Sequence, residues 1–288
     1  MNICELAKSG KFIVTSEIGP PKGTDIGEML ENAELLRPRV DAINITDQQS
    51  SVMRLGALAA SVVVKQKGLE SIFQITCRDR NRIALQSDLL SAAVLGIENV
   101  LCLTGDYVSL GDHPDAKPVF ELDSVSLLYA AKTLVNGHDL SGEDLSGSPE
   151  FCLGAVVSPC ADPLEPQIIK MEKKITAGAK FFQTQAVYEA EAFSRFMDQA
   201  RQFDVPVLVG IIPLKSAGMA RYMNKNVAGI NVPEALITEM EKAEDKAAKG
   251  IEIAARLIKE MKPLCQGVHI MPIGWEKNVP KILDGAGL

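Results

Sequence analysis

The sequence alternates eight short apolar runs with stretches of helical character, and this alternation constrains the fold more than any other feature. Each run ends in a polar or turn-forming residue, and the first four begin roughly 30 residues apart, the length of one strand–helix unit. Such units build a parallel sheet, and eight of them can close into a barrel. We therefore predict a (β/α)8 barrel with strands at Phe12–Ser16, Val40–Thr46, Ser71–Thr76, Val100–Thr104, Cys152–Val157, Lys180–Thr184, Val205–Ile212 and Gly267–Met271.

Helices are predicted between these strands, and Gly or Pro ends several of them, as is common at helix termini. Their predicted ranges are Asp25–Leu36, Ser51–Gln66, Asn81–Leu95, Ser124–Leu134, Pro163–Ala177, Glu189–Gln202, Ser216–Met223, Pro233–Met261 and Asn278–Leu283. The long stretch from Pro233 is open to division near Glu244–Gly250. The loop Tyr107–Leu122 follows a strand end and is expected to be functional. The 288 residues suit one barrel of about 250 residues, so residues 1–288 are expected to form a single catalytic domain.

Composition excludes several classes of function. The net charge of −7 disfavours nucleic acid as a partner, because phosphate neutralisation needs a basic face. No apolar stretch approaches the roughly 20 residues of a membrane span, and the N-terminus lacks a signal-peptide pattern. The six cysteines are scattered without a CxxC pair, which disfavours a metal site. Several of them lie inside the predicted strands, and we expect these to be buried, reduced core residues and the compartment to be a reducing cytoplasm.

The carboxyl ends of the strands meet on the face of a barrel that carries active sites. The residues at those ends are Glu17, Thr46, Asp47, Thr76, Arg78, Gly105, Asp106, Ser158, Gln185 and Pro213. Glu17 is flanked by apolar residues and could act as a general acid, or equally could bond a neighbouring loop. Asp106 follows Gly105, which permits close backbone approach to a ligand. Its carboxylate could bond a heteroaromatic ring or simply cap a turn.

Two further candidates come from the sixth strand and from the helix before it. The amide of Gln185 both donates and accepts hydrogen bonds, which suits recognition of a pterin-like edge. Lys174 could reach a phosphate, although a helical lysine is more often solvated. His269 alternates within the eighth strand and could face either the barrel or a helix. There is no G-x-G-x-x-G segment after a strand, which disfavours a dinucleotide-binding Rossmann unit.

Taken together, these segments resemble the methylenetetrahydrofolate reductase family over nearly the whole chain. The resemblance rests on the order and strand positions of several short motifs. They are Ser16-Glu17-Ile18-Gly19-Pro20-Pro21, Ile75-Thr76-Cys77-Arg78-Asp79, Leu103-Thr104-Gly105-Asp106, Ala177-Gly178-Ala179 followed by Thr184-Gln185, and Gly210-Ile211-Ile212-Pro213. The resemblance is to the short, catalytic-domain-only bacterial type, without the C-terminal regulatory domain of the eukaryotic enzymes, and to the branch found in anaerobes.

The resemblance implies a barrel that binds FAD and transfers a hydride from reduced flavin to 5,10-methylenetetrahydrofolate, giving 5-methyltetrahydrofolate for one-carbon metabolism and methionine biosynthesis. It implies that Glu17 is the acid that opens the imidazolidine ring, that Asp106 lies near flavin and pterin, and that Gln185 binds folate. The cofactor-binding positions that it implies are Thr46, Gln74, Thr76, Gly105, Asp106, Phe120 and Lys174.

The sequence also departs from the family pattern. Gln74 stands where some members have a flavin-contacting His, and Phe120 replaces a Tyr. Ala217 occupies a position where some members place a Phe that stacks on folate or nicotinamide. NADH or NADPH is the default electron donor that the resemblance implies, and an oligomer is expected. Two alternatives stay open: a catalytic subunit fed by an accessory iron–sulfur or zinc subunit, and a folate-binding barrel without turnover.

Overall fold

A computed structural model describes residues 1–288, and eight parallel strands close into a barrel in sequence order. The ring closes where β1 pairs with β8, with Ile13 opposite Gly267. The fold-class prediction is confirmed. The strands are β1 Ile13–Ile18, β2 Ala42–Ile45, β3 Ser71–Thr76, β4 Asn99–Leu103, β5 Cys152–Val157, β6 Phe181–Ala186, β7 Val207–Ile211 and β8 Gly267–Ile270.

Eleven helices accompany the strands. They are α1 Ile3–Lys8, α2 Gly27–Leu36, α3 Ala57–Gln66, α4 Arg82–Val94, α5 Ser124–Val135, α6 Glu165–Ala177, α7 Ala190–Ala200, α8 Ala217–Asn226, α9 Glu234–Lys242, α10 Lys246–Met261 and α11 Val279–Ala286. None of them combines the length and the apolar composition required to cross a bilayer.

The structure corrects one predicted helix and divides another. The helix predicted from Ser51 begins only at Ala57, because Gln48, Ser50 and Ser51 have positive φ angles of 51°, 55° and 59° and turn the chain. The long stretch from Pro233 is two helices, which confirms the alternative left open by the sequence, because the side chain of Asp245 accepts a hydrogen bond from Ala248 N and caps a new helix.

The barrel packs on both sides of its wall. A large apolar cluster fills the space between the strands and the outer helices, and a smaller cluster fills the end of the barrel away from the carboxyl ends of the strands. Helix α1, which the sequence patterns did not predict, closes that end with Ile3 and Leu6. The amide of Ile3 donates to Asn99 Oδ1 at 2.8 Å, which ties α1 to the start of β4.

One cysteine pair corrects a prediction. Cys4 in α1 and Cys152 in β5 form a disulfide, with their Cα atoms 5.8 Å apart. The expectation of reduced cysteines in the predicted strands is therefore wrong for Cys152. Cys77, Cys102, Cys160 and Cys265 are free thiols, and all except Cys160 are buried. The pairing joins positions 148 residues apart, and no sequence spacing indicates it.

Candidate active site

The main cavity opens at the carboxyl ends of the strands and encloses about 460 Å³. Every strand except β7 contributes lining residues, either from the strand itself or from the loop that follows it. Two further cavities adjoin it: one of about 470 Å³ shares Glu17 and Gln49, and one of about 600 Å³ shares Thr104 and Gly105. Eight of the nine residues singled out for a site line the main cavity, namely Glu17, Thr46, Gln74, Thr76, Gly105, Asp106, Lys174 and Gln185.

Phe120 is the ninth residue, and the structure places it outside the main cavity. Its ring lies against Tyr107, with ring centroids 5.9 Å apart, and it lines the neighbouring cavity beyond Gly105. The loop returns to the end of β3 at this point, where the amide of Phe120 donates to Cys77 O at 3.2 Å. The aromatic pair therefore borders the main cavity without lining it.

Glu17 lies near the end of β1 and is only 8% exposed. Two amides and an imidazole surround its carboxyl group. Gln49 Nε2 donates to Oε1 at 3.0 Å, Gln74 Nε2 donates to Oε2 at 3.5 Å, and His269 Nε2 lies 3.8 Å from Oε2. No Lys or Arg forms an ion pair with Glu17. A buried carboxyl group without a cationic partner can exchange a proton with a ligand in the cavity.

A network of polar side chains lies inside the barrel below Glu17. Thr15, Asn44, Gln183 and His269 are all buried. Asn44 Nδ2 donates to Gln183 Oε1 at 2.7 Å, and Gln183 Nε2 donates to Asn44 Oδ1 at 3.0 Å. The sequence analysis did not single out Asn44 or Gln183. The available signal was an amide side chain within an otherwise apolar strand, which must find a partner when buried.

Asp106 lies at the exposed rim of the cavity. Its Oδ2 accepts a hydrogen bond from Ser50 N at 3.1 Å, which joins the loop after β4 to the loop after β2. Gly105 precedes it with φ +96°, and a Cβ atom there would stand 3.0 Å from Thr76 Cβ. Glycine is therefore required for this close approach between neighbouring strands.

Asp47 and Arg80 fix the rim between β2 and β3. Asp47 Oδ2 accepts hydrogen bonds from the amide and the hydroxyl of Thr76, both at 2.9 Å. Arg80 donates to both oxygens of the same carboxylate, at 2.8 and 3.1 Å. Both oxygens of Asp47 are thus bound by Thr76 and Arg80. Thr46 beside it is buried, and its hydroxyl has no hydrogen-bond partner.

Lys174 projects from α6 into the cavity wall and is only 7% exposed. Its ammonium donates to Val156 O at 2.7 Å and has no carboxylate partner. Burial, reinforced by the nearby charge of Lys170, lowers the pKa of Lys174 to about 8. A buried cation without a counter-ion favours an anionic or electron-rich ligand.

The closed parallel barrel, with a buried carboxyl group and a buried lysine on a cavity at its carboxyl face, has the arrangement of a barrel enzyme. Residues 2–287 match the family described as methylenetetrahydrofolate reductase, and the chain belongs to that family. The family prediction, and with it the assignment to a family of oxidoreductases, is confirmed.

Individual relatives agree with this assignment. Methylenetetrahydrofolate reductase 2 of Schizosaccharomyces pombe is 26% identical over 320 residues, covering 100% of this chain and 47% of the relative. 5,10-Methylenetetrahydrofolate reductase of Pectobacterium carotovorum is 26% identical over 261 residues, covering 87% of this chain and 81% of the relative. The chain thus spans about half of the fission-yeast protein and four fifths of the bacterial one.

A solved structure shares the fold. It is a protein from Clostridium thermocellum, described as binding two copies of 5-methyl-5,6,7,8-tetrahydrofolic acid. It superposes with a TM-score of 0.68 at 18% identity, covering 98% of this chain and 96% of that chain.

Proposed function

We propose that residues 1–288 act as one catalytic domain that reduces 5,10-methylenetetrahydrofolate to 5-methyltetrahydrofolate with FAD as the resident cofactor. The observation that carries this proposal is the buried carboxyl group of Glu17. It faces the same cavity as Asp106 and Gln185 and has only uncharged neighbours within hydrogen-bonding reach. Membership of the family and the folate ligand named for the Clostridium thermocellum protein support it.

The residues present fit a flavin. The buried hydroxyl of Thr46 has no hydrogen-bond partner. Lys174 is a buried donor without a counter-ion. At Gly105 the absence of a side chain exposes the backbone to the cavity. These three positions, with Gln74, Thr76 and Asp106, would hold the cofactor. When bound, FAD would supply the hydride, because that chemistry belongs to the flavin and not to any protein side chain.

Glu17 would supply the proton that the reaction needs. Ring opening of the substrate requires protonation of a nitrogen, which leaves an electrophilic carbon for the hydride. Once Glu17 has released its proton, the N–H donors of Gln49 and Gln74 meet the carboxylate that remains. Hydrogen bonds to a charged acceptor are about twice as strong as neutral ones, so these two amides stabilise the product of the proton transfer.

Asp106 and Gln185 would orient the substrate. Asp106 is an acceptor at the exposed rim, and its Ser50 hydrogen bond occupies only one of its two oxygens. The Oε1 of Gln185 accepts from the amide of Ala186 at 3.0 Å, which leaves its NH2 group for a ligand. An acceptor from the loop after β4 and a donor from β6, two strands further round the barrel, match the mixed edge of a pterin ring.

The electron donor is the least constrained part of the proposal. NADH or NADPH is the first candidate. An accessory iron–sulfur or zinc subunit is the second candidate. One observation supports this second candidate: Ala217 begins α8 outside the main cavity and brings no aromatic ring to it.

The proposal is tested with the purified chain under anaerobic conditions. We expect the chain to take up FAD and become yellow. The flavin, once reduced by light or dithionite, should then be reoxidised by 5,10-methylenetetrahydrofolate with formation of 5-methyltetrahydrofolate. A chain that binds folate but no FAD would support the alternative of a barrel without turnover. Reduction of the flavin by NADH, by NADPH or only by a viologen dye would distinguish the two classes of donor.

A further inference from the structure

His269 lies beside Glu17 in the cavity wall, and no step of the proposed reaction uses its side chain. The side chain is buried, with 3% of its surface exposed. Its Nε2 atom faces Glu17 Oε2 across 3.8 Å, and no other carboxylate lies within ion-pair distance of the ring. Which nitrogen of a neutral histidine carries the proton depends on the hydrogen bond that the other ring nitrogen makes.

The second nitrogen, Nδ1, lies between the Thr15 hydroxyl and the Gln183 amide. Thr15 Oγ1 lies 3.0 Å from it and Gln183 Nε2 lies 3.3 Å from it. The Gln183 amide is held by its reciprocal pair with Asn44, in which Asn44 Nδ2 donates to Gln183 Oε1. In this pair one hydrogen of the Gln183 NH2 group goes to Asn44 Oδ1, and the other reaches Thr15 Oγ1 at 3.2 Å. The Thr15 hydroxyl then donates to the nearer of its two acceptors, which is Nδ1 at 3.0 Å and not Val268 O at 3.4 Å. The proton of the neutral ring then belongs on Nε2.

We propose that His269 is a positioning residue for Glu17: the network of Thr15, Asn44 and Gln183 holds its ring in the Nε2–H tautomer, and this N–H group is directed at Glu17 Oε2. The inference rests on the proposed role of Glu17 as the proton donor. Its consequence is that three N–H groups, from Gln49, Gln74 and His269, surround a carboxyl group that has no cation beside it.

The effect on the reaction follows from which form of Glu17 these groups favour. When Glu17 is protonated, it makes no hydrogen bond with His269, because the distance of 3.8 Å between Oε2 and Nε2 exceeds that of a hydrogen bond. When the proton of Glu17 passes to the substrate nitrogen, the new carboxylate attracts the Nε2–H group and the contact can tighten. His269 keeps its own proton throughout, because its Nδ1 side ends in the barrel interior and offers no route for a relay.

Other charged groups share the cavity and set the background against which His269 acts. Asp47 is paired with Arg80, and Arg78 with Asp79. The remaining charged groups that line the cavity are Asp106, Lys170 and Lys174. They are the same in wild type and in every His269 variant, so differences among these proteins report on the ring itself.

The first test observes the tautomer directly. The chain has only three histidines, and His113 and His138 are exposed. Protein labelled with 15N-histidine should therefore give three resolved ring patterns in long-range 1H–15N spectra, and the His269→Asn variant identifies the third. We expect the Nε2–H pattern for His269. The Nδ1–H pattern would mean that the Asn44–Gln183 amide pair is reversed, and it would overturn the inference.

The second test separates positioning from packing. The amide nitrogen of glutamine reaches about as far as Nε2, whereas that of asparagine reaches only as far as Nδ1. We expect His269→Asn and His269→Phe to slow folate reduction about 10- to 100-fold, the value of one hydrogen bond to a charged group. The Michaelis constant for folate should change little, and the acid limb of the pH–rate profile should move. His269→Gln should recover most of the rate.

Controls keep this inference separate from the proposed function. FAD binding and the rate of flavin reduction should be the same in all three variants, and their unfolding midpoints show whether the barrel is intact. If wild type itself does not reduce the folate, the proposed function fails. If wild type does so and His269→Asn matches it, or if His269→Gln is as impaired as His269→Phe, the positioning role fails.

Discussion

Gly105 shows how a single missing side chain shapes the cavity wall. Alanine at this position would combine a φ of +96° with a Cβ atom 3.0 Å from Thr76 Cβ and 3.2 Å from Arg78 Cβ. We expect Gly105→Ala to lower the free energy of unfolding by about 1–3 kcal/mol and to weaken FAD binding. Both are measurable by urea unfolding and flavin titration.

Gly137 provides the matched control for this substitution. It has a similar φ of +88°, but nothing lies within 4 Å of the position that a Cβ atom would occupy. Gly137→Ala should therefore carry only the backbone cost and leave FAD binding unchanged. Equal effects of the two alanines on FAD binding would show that the wall at Gly105 has no special role.

Lys174 is a buried lysine whose charge lowers the stability of the folded protein. In the folded protein its pKa is lowered from the usual 10.5 to about 8, chiefly by burial. Below pH 8 the buried Lys174 ammonium is charged, and its burial lowers the free energy of unfolding. Between about pH 8 and 10.5 the unfolded chain binds more protons than the folded one, so stability rises with pH and the cost disappears.

Replacing this lysine should therefore stabilise the protein without FAD. We expect Lys174→Met to raise the free energy of unfolding by about 1–3 kcal/mol at pH 7, an advantage that fades between pH 8 and 10.5, and to weaken FAD binding. The control is Lys173→Met, an exposed neighbour that should change neither quantity. A Lys174→Met protein that binds FAD as wild type does would remove this lysine from the cofactor site.

At the scale of elements, helix α1 is attached to the barrel by the Cys4–Cys152 disulfide as well as by packing. A crosslink between positions 148 residues apart restricts the unfolded chain and adds about 3–5 kcal/mol in the chain-entropy model. We expect Cys4→Ser to lower the urea midpoint, and wild type in reductant to unfold at the midpoint of the variant. A wild-type midpoint that does not respond to reductant would contradict the presence of this disulfide.

The sequence predicted the strands well because strands buried on both faces appear as continuous apolar runs. It did not predict α1, a helix of six residues in which only Ile3 and Leu6 are buried, because so short a segment shows no periodicity. The division between α9 and α10 depends on one capping side chain, Asp245. A pattern of apolar residues that continues across the break does not reveal such a cap.

The candidate site was predictable only in part, and the reason is geometric. Glu17, Thr46, Thr76, Gly105 and Asp106 lie at strand ends, whose convergence follows from the barrel itself. The network around His269 could not be predicted, because the amides of Asn44 and Gln183 are 139 residues apart and meet only across the closed barrel. The position of Phe120 in the neighbouring cavity likewise depends on how a long loop folds.

At the scale of the whole molecule, the barrel brings the proposed proton donor, the proposed cofactor-binding residues and the proposed substrate-orienting groups to one rim from strands far apart in sequence. The proposal divides the reaction between them. Flavin binding and flavin reduction should not need the proton of Glu17, whereas folate reduction should. This division can be measured because the two half-reactions can be followed separately under anaerobic conditions.

The most direct measurement is single-turnover reoxidation of the reduced flavin by 5,10-methylenetetrahydrofolate in wild type and in Glu17→Gln. Glutamine preserves the size of the side chain and removes its acidic proton. The account predicts unchanged FAD binding and flavin reduction, together with a loss of at least about 100-fold in reoxidation by the folate, the range of general acid catalysis. Reoxidation at the wild-type rate in Glu17→Gln would contradict the central claim that this carboxyl group protonates the substrate.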